Sequence, residues 1–336
     1  MSEMTQLMDV RTADSHRDPL VVEIKRNSLD DGPGIRTTLF FKGCPLACVW
    51  CHNPEAISPR PEILVTPSEC VAGCDACVAA CPEGAITLAA TTLAAEPGGS
   101  APEPGSSAAS TSPTIDRATC TNCGLCVDAC PGRGLRLIGR HYGALDLIAE
   151  ALVDEPFYRR SGGGVTFSGG EATLYPHFME RLLAALKARG VHTLLETCGY
   201  YHGETFQRRM LPRLDQIFFD VKLADPDTHQ RYTGRPNHLI LRNLADLALS
   251  PYASRVLPRV PLIPGITDTD DNLAAIALLL RELGFRQVAL LPYNPTWFKK
   301  AEGVGRELQY RHAEWLPAEA EERCRSIFRR RGLEVV

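Results

Sequence analysis

Residues 43–55 read Gly-Cys-Pro-Leu-Ala-Cys-Val-Trp-Cys-His-Asn-Pro-Glu, which sets Cys44, Cys48 and Cys51 in a C-x3-C-x2-C spacing. Three thiolates on one short loop can hold three irons of a cubane iron–sulfur cluster and leave the fourth iron without a protein ligand. An open iron can bind a substrate or a cofactor. Trp50, just before the third cysteine, is positioned to pack beside whatever binds there. Zinc is the rival reading, but a structural zinc site wants four protein ligands, and the next cysteine, Cys70, lies well outside the loop.

Two further groups follow: Cys70, Cys74, Cys77 and Cys81-Pro82, then Cys120, Cys123, Cys126 and Cys130-Pro131. The later group has the bacterial ferredoxin run C-x2-C-x2-C-x3-C-P, in which the last cysteine ligates the other cluster. The earlier one carries an extra residue in its first gap. Crossover ligation would assign Cys70, Cys74, Cys77 and Cys130 to one [4Fe–4S] cluster and Cys120, Cys123, Cys126 and Cys81 to another. Only Cys198 and Cys324 of the 13 cysteines stand outside the three groups. Two zinc knuckles are the alternative for the later groups, although their spacing suits zinc poorly.

The chain has 336 residues, 44% of them hydrophobic, and a formal net charge of -4, with a sequence pI near 6.2. It is long enough for one large domain and a smaller one. Acids and bases are interspersed, so neither a nucleic-acid footprint nor an anionic-membrane surface is expected. Residues 1–20 hold no apolar signal-like run and no stretch is long enough to span a membrane, so a cytoplasmic location is expected. In such a reducing compartment clustered cysteines read as metal ligands rather than disulfides.

The elements that must position these residues begin with Val21–Ile24 and Thr37–Phe41, which read as strands before the cysteine loop. From about residue 141 amphipathic helices (145–153, 176–189, 203–211, 237–249, 271–283, 317–331) alternate with short apolar strands (165–167, 193–196, 216–221, 259–263, 288–291). That βα repeat implies a parallel sheet with right-handed crossovers. Too few units are present for eight, so an incomplete (β/α) barrel or an open sheet is expected. The reading places it at 21–52 and 140–336, with a ferredoxin-like insert at 53–139, a disordered 1–20 and a disordered loop at 90–113, where bulky apolar residues are scarce. Parallel α/β folds gather chemistry at the carboxyl ends of strands, and there stand Ser168-Gly169-Gly170-Glu171, Glu196-Thr197-Cys198-Gly199, Asp220-Val221-Lys222 and Pro292-Tyr293-Asn294.

With Asp31-Gly32-Pro33-Gly34-Ile35-Arg36 and Arg259-Val260-Pro261-Leu262-Ile263-Pro264-Gly265, these motifs together resemble the glycyl radical enzyme activating enzymes of the radical S-adenosylmethionine (SAM) superfamily. The resemblance covers roughly residues 21–336, and the insert is similar to that of the subgroup that activates decarboxylases, dehydratases and lyases. It implies a radical SAM partial barrel, SAM and three [4Fe–4S] clusters, one binding SAM and two auxiliary, with a monovalent cation in some members. The cluster on Cys44, Cys48 and Cys51 would reductively cleave SAM to a 5′-deoxyadenosyl radical, which removes a hydrogen from a glycine of a partner glycyl radical enzyme. Flavodoxin or ferredoxin is the expected reductant.

Carried over by position, the backbone of Gly169 and Gly170, with Ser168 and Glu171 on the same loop, meets the methionyl end of SAM. Glu196, Thr197 and Asp220 match positions lining its carboxylate and, in some members, the cation. Lys222 and Arg259 match cationic positions nearby, Trp50 the aromatic position near adenine, and Asp31 an acid near the partner's entering glycine loop. Glu196 stands where many members have Asp, and Asn294 where some have His. Asp31 and Arg36 could instead brace the turn around Gly32-Pro33-Gly34. Two other functions remain open at this point: a radical SAM enzyme acting on another peptide or small molecule, and a ferredoxin-like electron carrier. Replacing Cys48 by Ala should abolish reductive SAM cleavage while the reconstituted iron falls only from about twelve to about eight per chain, the complement of the insert. Retained cleavage would refute the assignment of the loop.

Overall fold

The structure is a computed structural model that describes residues 18–91 and 110–336. Its strands are β1 (Leu20–Ser28), β2 (Arg36–Phe41), β3 (Glu62–Val65), β4 (Ile86–Thr91), β5 (Ser110–Ile115), β6 (Leu135–Ile138) and β7 (Arg140–His141). There follow β8 (Gly164–Gly169), β9 (His192–Thr197), β10 (Gln216–Asp220), β11 (Val256–Leu262), β12 (Gln287–Pro292) and β13 (Glu334–Val335). The chain forms two compact units. One runs to Arg60, resumes over Gly139–Trp297 and ends with Gln309–Val336; the other is Pro61–Ile138 with Phe298–Leu308.

The first unit is built on a 9-stranded sheet in the order β13-β12-β11-β10-β9-β8-β2-β1-β7. From β2 through β8 to β13 every neighbouring pair is parallel. Helices at Pro176–Ala188, Gly203–Arg209, His238–Ala248, Asp270–Glu282 and Ala318–Arg330 cross between successive strands, with Ala144–Leu152 preceding β8. The order has two ends, so the barrel is incomplete. Central strands covered on both faces read as continuous apolar runs, and Val165 to Phe167 in β8 are wholly buried. β11 instead alternates: Val256, Pro258, Val260 and Leu262 are buried, while Leu257, Arg259 and Pro261 turn to the other face.

The structure departs from the sequence reading in several places. β1 pairs antiparallel with β2, and not as a unit of the βα repeat. Only residues 29–35 separate the two strands, too few for the crossover of about a dozen residues that a parallel pair requires. β13 and the helices Glu155–Ser161 and Pro226–Thr233 are too short to show a clear period. The disorder expected for 1–20 and 90–113 falls mostly outside the described residues, but Leu20 lies in β1, and residues 90–91 and 110–113 lie in β4 and β5. There the ladder Ala89↔Ser112 and Thr91↔Ser110 uses backbone groups that a count of bulky apolar side chains leaves out.

Residues 53–60, read as part of the insert, stay with the barrel unit. The amides of Gly43 and Cys44 donate to the carbonyls of Ala56 and Ile57 at 2.7 and 3.0 Å. The buried Lys42 donates from Nζ to the Glu55 carbonyl at 2.6 Å. The second unit, besides the β4–β5 ribbon, pairs β3 with β6 antiparallel. It also takes in 298–308, held by Arg117, whose guanidinium donates to the carbonyls of Ile63 at 2.6 Å and Gly303 at 2.9 Å.

The run Gly162-Gly163-Gly164 has two distinct physical causes. Gly162 closes the helix Glu155–Ser161 at φ 70° with open space around it. A Cβ on Gly163 would lie 1.8 Å from the Ile35 carbonyl oxygen, where β8 begins beside β2. Gly162→Ala should therefore cost about 1 kcal/mol, the left-handed penalty alone. Gly163→Ala should cost about 3 kcal/mol through forced separation of the strands, measured as the difference in unfolding free energy between the variants.

Candidate active site

The parallel register aligns the ends of the strands: Phe41 with Gly169, Phe167 with Leu195, Phe219 with Thr197, and Asp220 with Arg259. The loops beyond them enclose a cavity of about 380 Å³. It is lined by Asp31, Cys44, Cys48, Trp50, Cys51, Ser168, Gly169, Gly170, Glu196, Thr197, Asp220, Lys222, Arg259 and Asn294. Of the residues assigned from the sequence to the SAM-binding loops, Glu171 alone is missing from this lining.

The cysteine loop is fixed by its backbone. Ala47 and Val49 donate to the carbonyls of Thr233 and Tyr232 at 2.8 and 3.0 Å, and Glu171 N donates to the Gly43 carbonyl at 2.7 Å. A Cβ on Gly170 would lie 2.1 Å from that same Gly43 oxygen, so only glycine permits this approach. Tyr175 caps the Lys42 carbonyl with its hydroxyl. Trp50 is 4% exposed, with its ring 6.5 Å from that of Tyr232.

Glu171 is wholly buried and turned into the protein. Its carboxylate accepts from Thr173 N and Oγ1 at 3.2 and 2.7 Å, from Thr197 Oγ1 at 3.0 Å and from Cys198 N at 2.8 Å. Burial pushes its carboxyl up from the ordinary range, against those hydrogen bonds. Glu171 therefore clamps the loop after β8 to the loop after β9, and the expectation that it meets the methionyl end is corrected. A carboxylate directly after two glycines reads as a ligand in sequence, but the glycine turn aims it inward.

On the cavity wall Glu196 Oε1 accepts from Arg259 Nη1 and Oε2 from Ser168 Oγ, both at 2.6 Å. Asp220 Oδ1 accepts from Arg259 Nε at 2.9 Å and Oδ2 from Lys222 Nζ at 3.0 Å. Burial opposes all three of these charges, yet Arg259 and Lys222 hold Asp220 below its ordinary value while the carboxylates hold both cations above theirs. Asp31 accepts from Ser28 Oγ at 2.6 Å and Thr38 Oγ1 at 2.7 Å and pairs with Lys25 at 3.6 Å. Arg36 bonds the Pro33 carbonyl at 3.0 Å. The turn is braced, and Asp31 still faces the cavity.

Several lining residues were not singled out. Pro261 and Ile263 follow Arg259 at the strand period of two, a signal present in the sequence. His52 also lines the cavity, its ring 6.1 Å from that of Tyr293. Cys198, by contrast part of the strand-end motif read from the sequence, lines it as well; burial, then a hydrogen bond with Cys44, pushes its thiol well up.

Family models match three segments: the radical SAM superfamily over residues 141–277, a 4Fe-4S dicluster domain over 67–133 and a 4Fe-4S single cluster domain over 30–72. The isethionate sulfite-lyase activating enzyme of Desulfovibrio desulfuricans is 36% identical over 88% of this chain and 89% of its own. The trans-4-hydroxy-L-proline dehydratase activating enzyme of Clostridioides difficile is 34% identical over 87% and 91%, and the benzylsuccinate synthase activating enzyme of Thauera aromatica 36% over 94% and 92%. The chain belongs to the glycyl radical enzyme activating enzymes. It is a radical SAM oxidoreductase that uses SAM and iron–sulfur clusters, and its partner is a glycyl radical enzyme. No described helix is long and apolar enough to cross a membrane.

The donor sets of this activating enzyme suit such clusters. Burial pushes Cys48 up to about 12 against the Lys222 charge, and burial with Cys48 and Cys44 raises Cys51 too, so thiolates here would be stabilised by a bound cationic metal centre. In the second unit burial and then Cys130, Cys77 and Cys74 raise Cys70. Cys126 is pushed up to about 11 by burial and then by Cys120, Cys123 and Cys81. Cys70 thus feels Cys130 from the later cysteine group, and Cys126 feels Cys81 from the earlier one. Glu171→Ala should leave four donors unpaired, at a cost of about 3 kcal/mol or more. Thermal unfolding of the reconstituted enzyme should register that loss, whereas a merely ligand-contacting Glu171 would leave stability unchanged.

Proposed function

We propose that Cys44, Cys48 and Cys51 would hold a [4Fe–4S] cluster and that the cavity they share with Arg259 and Lys222 would hold SAM. The observation that carries this is the convergence of the three thiols, the bare backbone of Gly169 and Gly170, the buried Lys222 and the partly buried Arg259 on one cavity. When bound, the cluster and SAM supply the electron and the 5′-deoxyadenosyl radical that takes hydrogen from the partner's glycine.

The protein's part is to bind and orient. Gly169 and Gly170 let the backbone approach the methionyl amino group, with Ser168 holding Glu196 beside it. Lys222 faces the methionyl carboxylate, and Thr197 completes that wall. Trp50 packs on adenine, and Asn294 offers amide hydrogen bonds to the nucleoside. Asp31 stands where the partner's glycine loop enters. Cys70, Cys74, Cys77 and Cys130 would hold one auxiliary [4Fe–4S] cluster and Cys81, Cys120, Cys123 and Cys126 another, making three in all. Flavodoxin or ferredoxin supplies the electron, in a cytoplasmic setting. The relatives' names support a lyase, dehydratase, decarboxylase or succinate-adduct synthase of the benzylsuccinate synthase kind as the enzyme activated.

Anaerobic reconstitution tests the reading. About twelve irons per chain, 5′-deoxyadenosine formed with dithionite and SAM, and a glycyl radical signal once a partner is added are expected. Bound zinc, or iron without SAM cleavage, would overturn it. Lys222→Ala should raise the Kd for SAM about tenfold, equivalent to about 1.4 kcal/mol, at unchanged iron content. An unchanged Kd would remove Lys222 from the cofactor wall.

A further inference from the structure

Glu196 and Asp220 are the positions that the family resemblance links to a monovalent cation, and in this chain the residues do not fit one. Their four carboxylate oxygens already accept from Arg259, Ser168 and Lys222 at 2.6–3.0 Å. Two negative side chains face two positive ones, so the wall is balanced before any ion arrives. An alkali ion entering between the carboxylates would have to displace the guanidinium, and its added charge would be desolvated without a net anion to meet it.

The guanidinium is held where it is. Phe218 pairs in register with Glu196 on β9, and Asp220 with Arg259 on β11. Phe218 and Asp220, two residues apart, share one face of β10. Arg259 therefore reaches across β10 from one carboxylate to the other and lies 5.0 Å from the centre of the Phe218 ring. A planar fork with fixed donors suits two carboxylates at once, which a spherical ion or a lysine ammonium matches less well. Glu196 is also one methylene longer than the aspartate that many members carry, which lets its carboxylate reach that fork.

We propose that Arg259 is a positioning residue that serves as the built-in cation of the cofactor site, so that this activating enzyme binds SAM without an alkali metal ion. The proposal rests on the SAM reading of the cavity. Its test compares the reconstituted holoenzyme in potassium, sodium and tetramethylammonium chloride at equal ionic strength, by unfolding midpoint without SAM and by Kd for SAM. The wild type should show the same midpoint in all three salts and Kd values within twofold. Arg259→Gln should become potassium-responsive, with a higher midpoint in potassium than in tetramethylammonium and at least fivefold tighter SAM binding. A potassium-specific rise in the wild-type midpoint, or a tenfold tightening of its SAM binding, would overturn the proposal even if the variant fails to fold. Absence of SAM binding in every salt would instead refute the cofactor reading, while the midpoints still decide the role of Arg259.

Discussion

One tight backbone approach in the barrel unit governs its chemistry. Where β2 and β8 end side by side, Gly170 N donates to the Phe41 carbonyl at 2.8 Å and Glu171 N to the Gly43 carbonyl at 2.7 Å. Those two bonds place the first residue of the cysteine loop against the glycine pair with no side chain between. A bulkier residue at 170 would part the loops and carry Cys44 away from the β8 loop. The same contact turns Glu171 inward, where it gathers the loop after β9. One tight junction thus positions three of the loops that form the cavity, and the packed core behind it keeps the junction from relaxing.

Charge is arranged around that junction at a cost to stability. Buried ion pairs seldom outweigh their desolvation, and apolar residues of equal volume often serve as well. Glu196, Arg259, Asp220 and Lys222 nonetheless stand on the cavity wall, with side chains 10–20% exposed. Their retention is better explained by a ligand that is itself zwitterionic at its amino-acid end and cationic at sulfur. A balanced wall with cations and anions in fixed places orients such a ligand without drawing it in by net charge alone.

How much of this could be read in the sequence depends on whether the governing interaction is local. The cysteine spacings, the strand-end motifs and the long amphipathic helices all carry their signal within a few residues, and the strands and helices fall within a few residues of the expected positions. β1 was misread because the partner that makes it antiparallel is set by a short connection rather than by its own pattern. Glu171 was misassigned because two of its four donors, Thr197 Oγ1 and Cys198 N, come from the end of β9 and the loop after it. The recruitment of 298–308 by Arg117 is legible only in three dimensions, since its anchors are the backbone carbonyls of Ile63 and Gly303.

The second unit poses the opposite physical problem from the first. Its core consists of Ile63, Ile86, Ile115 and Leu135 together with two of the cysteines, Cys77 and Cys126, 8% and 6% exposed. Even with Val65, Val78, Val127 and Leu137 packed partly buried against them, these side chains make a small core for a segment this long, and small domains of this kind lean on covalent or metal cross-links. Under the proposed ligation the thiols occupy core positions, and each cluster joins both cysteine groups because Cys81 and Cys130 cross over. Metal binding is then folding energy for this unit. Crossed ligation ties together the two halves of the sequence on either side of the β4–β5 ribbon, so each cluster would hold both halves at once.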